Sequence, residues 1–301
     1  MIPLKLLLSA CLLLLAASAS AVYGQQMPSA VISDATPDPE NPASIEAPDV
    51  LSHGAKMYSV FYLASGAGAH PTVLLVHGFP GDEKNMDLAY SIRRAGWNVL
   101  VPFCRGSWGS EGNYSFTHAI EDAEAAVEFL RNGNNIKKYR IDSKQIVLIG
   151  HSVGGFVVAH VAASDRDILG IAMIAATNLG PSTMRALSRD PKEIHERFRA
   201  NASRVAGATP EALLEEVKQN SASWNYLRYV STLKDRPVLI VEADDRNTSD
   251  NQAMATALKK QGGSQVTERH MATDHTFSDR RIALQGVVVQ WLQTIGRQVA
   301  K

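Results

Sequence analysis

The chain has 301 residues, which is enough for one large domain or two small ones with a sizeable apolar core. Lysine and arginine together number 30, aspartate and glutamate also number 30, and the formal net charge is therefore zero. A neutral chain has no basic excess to hold a phosphate backbone, which argues against a nucleic-acid partner.

The N-terminal segment has the pattern of a secretory signal peptide. Residues 1–5 form a short, positively charged segment, and residues 6–15 are almost wholly apolar. Residues 17–21 then place small residues at the spacing of a signal-peptidase site. The apolar run is too short for a membrane span. We therefore predict that residues 1–21 are removed and that the mature protein is secreted or periplasmic. Cys104 would then be the one remaining cysteine, so no disulfide within the chain is expected.

Beyond this segment, the chain shows an irregular lead-in and then a regular alternation of patterns. Residues 22–48 contain several prolines among small polar residues and have no periodicity. From residue 49 to residue 301, strand-like and helix-like patterns alternate. We predict strands at 57–63 (half-exposed), 71–76, 97–101, 145–149, 168–175, 237–241 and 266–271, and clear helices at 117–131 and 282–295. This alternation predicts an α/β domain with a doubly wound, mostly parallel sheet.

Residues 177–234 depart from that alternation. They are charged and rich in helical patterns, and they lie between two predicted strands of the sheet. We predict a small helical cap over the strand ends, where a ligand would enter. The other interpretation is a plain surface excursion.

The sequence Gly150-His151-Ser152-Val153-Gly154 has the pattern of a nucleophile elbow. It follows a β-branched apolar run and precedes a helix pattern of small residues, so it is expected to form a sharp turn between strand and helix. The two glycines remove side chains that would collide with the adjoining strand or helix. Ser152 is therefore the candidate nucleophile.

A serine hydroxyl needs a base to take its proton, and an imidazole acts best when a carboxylate fixes its tautomer. His275 has the expected position, in a loop after the last predicted strand and before the final helix. His270 is the alternative, but it lies inside a predicted strand and is expected to pack there.

The acid should follow the strand at 237–241. Glu242, Asp244 and Asp245 all qualify by their distance along the chain, and periodicity does not separate them. Asp245 is preferred because it begins a polar loop at the far end of the strand, and Asp244 is the next choice. The chain order of serine, acid and histidine agrees with an α/β sheet that carries a nucleophile elbow.

Two backbone N–H groups should stabilise the oxyanion that forms when the serine attacks. One is that of Val153, directly after the serine, and the other comes from the loop after an earlier strand. That loop is residues 77–81, where Phe79 is the candidate donor because Pro80 has no N–H.

The loop at residues 103–112 is a weaker candidate for substrate binding. Trp108 is a candidate for a pocket wall, and Arg105 for a partner of a substrate carboxylate or of Glu111. A structural loop held by an internal ion pair is the favoured interpretation. Cys104 has no evident base beside it and is not expected to act as a nucleophile.

These motifs resemble those of the α/β-hydrolase superfamily over almost the whole mature chain. The Arg-Gly-Ser-x-Gly loop at Arg105 and the Asp-His-x-Phe motif at Asp274 resemble the prolyl-oligopeptidase-like and dienelactone-hydrolase-like branch in particular. The resemblance implies the α/β-hydrolase fold, with Ser152 as nucleophile, His275 as base and Asp245 as acid. The chain departs from the branch at Ala243, where a glycine is usual. It also has no room for the β-propeller of the oligopeptidases, so peptidase activity is not implied by default.

Together, these patterns predict a serine hydrolase that cleaves carboxylic esters through an acyl-enzyme. The alternatives are a peptidase for short peptides or aminoacyl amides and, from another class, a non-catalytic binding module on the same fold. The expected partner is a small ester or short peptide. No metal-ligand cluster, phosphate-binding loop or dinucleotide motif occurs, so no metal and no cofactor are predicted.

Overall fold

The computed structural model describes residues 26–299, and the predicted signal peptide lies outside them. The strands are β1 Ser44–Glu46, β2 Val50–Ser52, β3 Ala55–Met57, β4 Ser59–Leu63, β5 His70–Val76, β6 Asn98–Pro102, β7 Ile141–His151, β8 Gly170–Ile174, β9 Val238–Glu242 and β10 Val266–His270. The helices are α1 Ser29–Ile32, α2 Met86–Arg94, α3 Phe116–Arg131, α4 Gly133–Tyr139, α5 Val153–Ser164, α6 Leu179–Arg189, α7 Pro191–Ala202, α8 Pro210–Asn220, α9 Val230–Leu233, α10 Thr248–Lys260 and α11 Arg281–Val299, with a 3₁₀ helix at Tyr226–Tyr229.

Eight of these strands form one sheet in the order β1-β4-β6-β5-β7-β8-β9-β10. The pairs from β6 to β10 are parallel, whereas β4 pairs antiparallel with both β1 and β6. Strands β2 and β3 form a separate antiparallel pair. The predicted doubly wound, mostly parallel sheet is therefore confirmed, and its carboxyl ends meet at one edge.

The helices cover both faces of the sheet, which explains why its inner strands are almost continuously apolar. Helices α3, α5 and α10 pack on one face, and α2 and α11 pack on the other. Strand β4 differs from its prediction: it is almost entirely buried, not half-exposed, because Phe61 faces one core and Tyr62 faces the other. Its alternating polarity concealed a strand that lies inside the sheet.

Part of the predicted lead-in belongs to this architecture. Residues 44–46 form β1, which pairs with β4, and the short helix α1 packs against α2 and α11. Ala30 is buried there, and its carbonyl accepts a 2.6 Å hydrogen bond from Arg94 Nε. A three-residue strand and a four-residue helix are too short to produce a periodicity that a sequence pattern can reveal.

Helices α6, α7 and α8 occupy the segment between β8 and β9 that was predicted as a cap. Local signals start two of them: Asp190 caps α7 and Thr209 caps α8, each followed by a proline at the first helical position. Ile194 and Phe198 of α7 join the core on the side of the sheet that carries α5. Between residues 26 and 299, no helix has both the length and the apolar character to cross a membrane.

Candidate active site

Ser152 lies in the tight turn between β7 and α5, with φ 57° and ψ −121°. A non-glycine residue is rarely found in this conformation, which stores strain and is typical of functional turns. The turn requires glycine on both sides because the backbones approach closely. A Cβ at Gly150 would lie 2.1 Å from the Gly154 carbonyl oxygen, and one at Gly154 would lie 2.3 Å from that of Val76.

The backbone around Ser152 is firmly held, while its hydroxyl faces open space. The Ser152 N–H donates to the Ile174 carbonyl at 2.9 Å, and its carbonyl accepts from the N–H of Thr177 at 2.9 Å. Ser152 Oγ lies 3.4 Å from Thr177 Oγ1, a weak contact. Ser152 and His275 line the same cavity of about 140 Å³.

His275 is paired with Asp245. Its Nδ1 lies 2.5 Å from Asp245 Oδ2, so Nδ1 carries the proton and Nε2 keeps a lone pair that can accept one. The other carboxylate oxygen accepts the Asn247 N–H at 2.7 Å. Burial raises the pKa of Asp245, but the hydrogen bonds from His275 and Asn247 outweigh it and hold that pKa below its ordinary value. The carboxylate therefore stays ionised and orients the ring.

Asp244 and Glu242, the other two acid candidates, have partners other than His275. Asp244 pairs with Nε2 of His270 at 3.1 Å, and 61% of its side chain is exposed. Glu242 is buried, and burial, together with a hydrogen bond to Glu268, raises its pKa to about 7. His270 was expected to pack inside its strand, and this was wrong: 46% of its side chain is exposed. The reason is that β10 is the edge strand of the sheet.

The loop after β5 passes directly over the serine. A Cβ at Gly78 would lie 2.9 Å from Ser152 Cβ, and Phe79 lines both cavities that contain Ser152. Val153 begins helix α5, so its N–H is free of helical hydrogen bonding. Phe79 and Val153 thus both lie beside Ser152, and their roles as the two oxyanion donors stay a prediction.

His77 holds this loop in place, and sequence patterns did not reveal that role. Its Nδ1 donates to the Gly78 carbonyl at 2.7 Å, and its Nε2 accepts the Cys104 N–H at 3.2 Å. Complete burial is the main cause of a lowered pKa, so the ring is neutral and both nitrogens have fixed roles. A histidine directly after a buried strand and before a Gly-Pro loop was the available signal.

His151 was also missed, although it precedes the nucleophile. Its Nε2 donates to the His275 carbonyl at 2.8 Å, and the two ring centroids are 4.9 Å apart. Burial, and then the nearby His275, lower the pKa of His151 to about 4. A neutral His151 therefore ties the loop that carries His275 to the turn that carries Ser152.

A larger cavity of about 460 Å³ opens on the other side of Ser152. Phe79 and Val153 line it near the serine, and residues from α6 and α7 close it from above. Phe79 stacks on Tyr114 with ring centroids 5.0 Å apart and meets Phe116 edge-on at 5.2 Å. The space beside the serine thus has one aromatic wall, and α6 and α7 supply other parts of its lining.

The loop at 103–112 is structural, and the predicted substrate role of Arg105 is wrong. Arg105 is buried and pairs through Nε with Asp122 at 2.5 Å and through Nη2 with Glu121 at 2.5 Å, and not with Glu111. Both partners lie on α3, too far along the chain for the sequence to indicate them. Trp108 is 49% exposed, lines neither cavity beside Ser152, and stacks under the Lys84 ammonium. Burial raises the pKa of the Cys104 thiol, which keeps it unreactive.

The parallel sheet with a strained serine after its central strand defines the class of the protein. The alpha/beta hydrolase family matches residues 73–283, and the chain belongs to that family. It is therefore a hydrolase. In the part of the chain that the structure describes, no group of three or more His, Cys, Asp or Glu side chains could hold a metal ion.

Individual relatives are distant. The chain is 29% identical over 126 residues to acylamino-acid-releasing enzyme 1 of Oryza sativa subsp. japonica, a match over 37% of this chain but only 15% of that protein's length. Among solved structures, Est1E from Butyrivibrio proteoclasticus with bound ferulic acid aligns with a TM-score of 0.63 and 18% identity, over 85% of this chain and all of that one. An esterase from Pyrococcus furiosus aligns with a TM-score of 0.61 and 18% identity, over 90% of this chain and 99% of that one.

Proposed function

We propose that the protein is a serine hydrolase that cleaves carboxylic esters of small molecules through Ser152, His275 and Asp245. The observation that carries the proposal is the hydrogen bond of 2.5 Å between Asp245 and His275, because His275 also lines a cavity together with Ser152. Esterases among the structures of similar fold support this choice of bond.

The reaction proceeds in two halves. His275 Nε2 takes the proton of Ser152 Oγ as the oxygen bonds to the ester carbonyl carbon, and the N–H groups of Phe79 and Val153 hold the resulting oxyanion. His275 then gives the proton to the leaving alkoxide as the C–O bond breaks, which leaves an acyl-enzyme. Water, deprotonated by His275, attacks that acyl group and releases the acid, and Ser152 regains its proton.

The test is covalent labelling with a fluorophosphonate, combined with turnover of para-nitrophenyl esters. The native chain should label and turn over, and Ser152→Ala should do neither. Ser188→Ala is the matched control because this serine is exposed on α6 and lines neither cavity beside Ser152, so the variant is expected to keep both activities. A native chain that neither labels nor hydrolyses any ester would overturn the proposal.

A peptidase that releases acylated or free amino acids is the second candidate. It is favoured by the 29% identity to acylamino-acid-releasing enzyme 1 over 126 residues. The same chemistry applies, with an amine as the leaving group. Comparison of para-nitrophenyl esters with N-acetyl-aminoacyl para-nitroanilides separates the two, since activity on esters alone excludes the peptidase.

We also propose that the protein is exported and loses residues 1–21, on the strength of its N-terminal sequence pattern. N-terminal sequencing of protein recovered from the periplasm or medium tests this. A first residue at or near position 22 is expected, and an intact Met1 would contradict it.

A further inference from the structure

The larger cavity beside Ser152 has several arginines in its wall. Four arginines line it: Arg185 and Arg189 from α6, Arg197 from α7, and Arg246 from the loop that also carries Asp245. Two carboxylates, Asp190 and Glu193, also line it, so the wall carries a net charge of about +2. Ester hydrolysis by the triad itself makes no use of this charge.

Three of these four guanidinium groups form no ion pair with any residue that the structure describes. Arg185 is paired with Asp250. Among residues 26–299, no carboxylate forms an ion pair with Arg189, Arg197 or Arg246. The Asp190 carboxylate is occupied as the cap of α7, where Oδ1 accepts the N–H groups of Lys192 and Glu193 at 3.0 Å each.

Arg197 is the most telling member of this cluster because it is half-buried. Burial, and then repulsion by Arg246, lower its pKa to about 10, and Arg189 adds to the repulsion while Glu193 opposes it. Like charges gathered in a partly dry cavity destabilise one another unless an anion joins them. A guanidinium group also matches a carboxylate in shape, since its two parallel N–H donors meet two oxygens.

Ser152 lines both cavities, and an ester has two parts to place beside it, the acyl group and the leaving group. His275 lines the smaller one and not the larger one. Because the base must hand its proton to the leaving group, the leaving group lies in the smaller cavity. The acyl group then extends into the larger one, past Phe79 and Phe116 and toward the arginines.

We propose that the preferred substrates carry a carboxylate at the far end of the acyl group, as monoesters of dicarboxylic acids do, and that Arg197 and Arg246 bind it. This inference rests on the proposed function, since it assigns the acyl part of the same ester. The apolar middle of such a substrate faces the aromatic wall, while its carboxylate pairs with the guanidinium groups of Arg197 and Arg246.

The test compares para-nitrophenyl hydrogen adipate with para-nitrophenyl hexanoate, which match in length and leaving group but differ in the terminal charge. The native chain should show the higher kcat/KM for the adipate. In Arg197→Gln, that value should fall about 10- to 100-fold, the usual effect of losing a hydrogen bond between charged groups, with hexanoate changed less than about threefold. Arg199→Gln is the matched control because Arg199 lies on the same helix, is exposed and pairs with Glu196.

A second pair of esters checks which side of the bond the arginines serve. Acetyl esters of para-hydroxybenzoate and of its methyl ester carry the charge difference on the leaving group, and Arg197→Gln should affect both equally. The inference is overturned if the native chain prefers hexanoate, if Arg197→Gln slows adipate and hexanoate alike, or if only the leaving-group pair responds. Hexanoate turnover and fluorophosphonate labelling report the proposed function separately, so its failure is distinguishable.

Discussion

Two histidine–aspartate pairs lie at the carboxyl ends of β9 and β10, and they differ in distance, exposure and surroundings. His275 and Asp245 lie 2.5 Å apart, with 30% and 8% of their side chains exposed. His270 and Asp244 lie 3.1 Å apart, with 46% and 61% exposed. The two aspartates are neighbours in sequence, yet the loop turns them toward different histidines.

The difference comes from the backbone after β9. The Asp244 N–H donates to the Thr273 carbonyl, which keeps this residue in line with the end of the sheet. The chain then turns, and the Asp245 N–H donates to Thr248 Oγ1 at 3.2 Å while that hydroxyl donates to the Ala243 carbonyl at 2.6 Å. The turn carries Asp245 inward. A histidine–aspartate pair therefore becomes a candidate for catalysis only where the loop also brings it to the nucleophile.

The largest effect should come from exchanging the two histidines for alanine. His275→Ala removes the imidazole that pairs with Asp245 and lines a cavity together with Ser152, so kcat for an ester substrate should fall about 10³-fold or more. His270→Ala should change it less than about twofold. Equal losses, or a greater loss for His270→Ala, would contradict the distinction between the pairs.

Substitution of the two aspartates should give a difference in kcat between the pairs in the same direction as substitution of the histidines, but a smaller one. Asp245→Asn keeps the shape but favours the wrong tautomer of His275, and kcat should fall about 10²- to 10⁴-fold. Asp244→Asn loses an exposed ion pair, so activity should be unchanged and the free energy of unfolding should fall by about 1 kcal/mol or less. Steady-state kinetics and urea unfolding of both variants measure this. A loss of activity confined to Asp244→Asn would reassign the acid.

Much of the fold follows from the sequence because it depends on periodicity. The inner strands and the final helix were predicted to within a few residues, since burial on both faces gives an unbroken apolar run and burial on one face gives a fixed spacing. The positions of Ser152 and of the loop at 77–81 could be predicted for a related reason, as each follows directly from the end of a strand.

The rest depends on contacts between distant parts of the chain. The partners of Arg105 lie on α3, and nothing in the local sequence of the loop indicates them. The exposure of His270 follows from the edge position of β10, which strand order determines and periodicity does not. The arginines of the cavity come from two helices and a loop, so their convergence on one wall required the folded chain.

The smallest expected change in activity concerns His151. This residue connects the turn at Ser152 to the loop of His275, and its ring can also titrate. Its pKa is lowered from 6.5 to about 4 by burial and by His275, so the unfolded chain binds a proton in that range that the folded chain does not. The contribution of His151 to the free energy of unfolding is therefore fully present above pH 6.5. It is lost as the pH falls from 6.5 to about 4, at about 1.4 kcal/mol per pH unit and about 3 kcal/mol in all.

His151→Gln cannot titrate but keeps an N–H donor for the His275 carbonyl. Its free energy of unfolding should decline less steeply than that of the native chain between pH 6.5 and pH 4. Denaturant unfolding across this range measures the difference, and parallel curves would mean that the ring is charged in the folded state. His151→Leu should show the same flattening, but it also loses the 2.8 Å hydrogen bond that holds the His275 loop. Only the leucine variant should therefore lose activity, by about tenfold, because the base is no longer held beside Ser152.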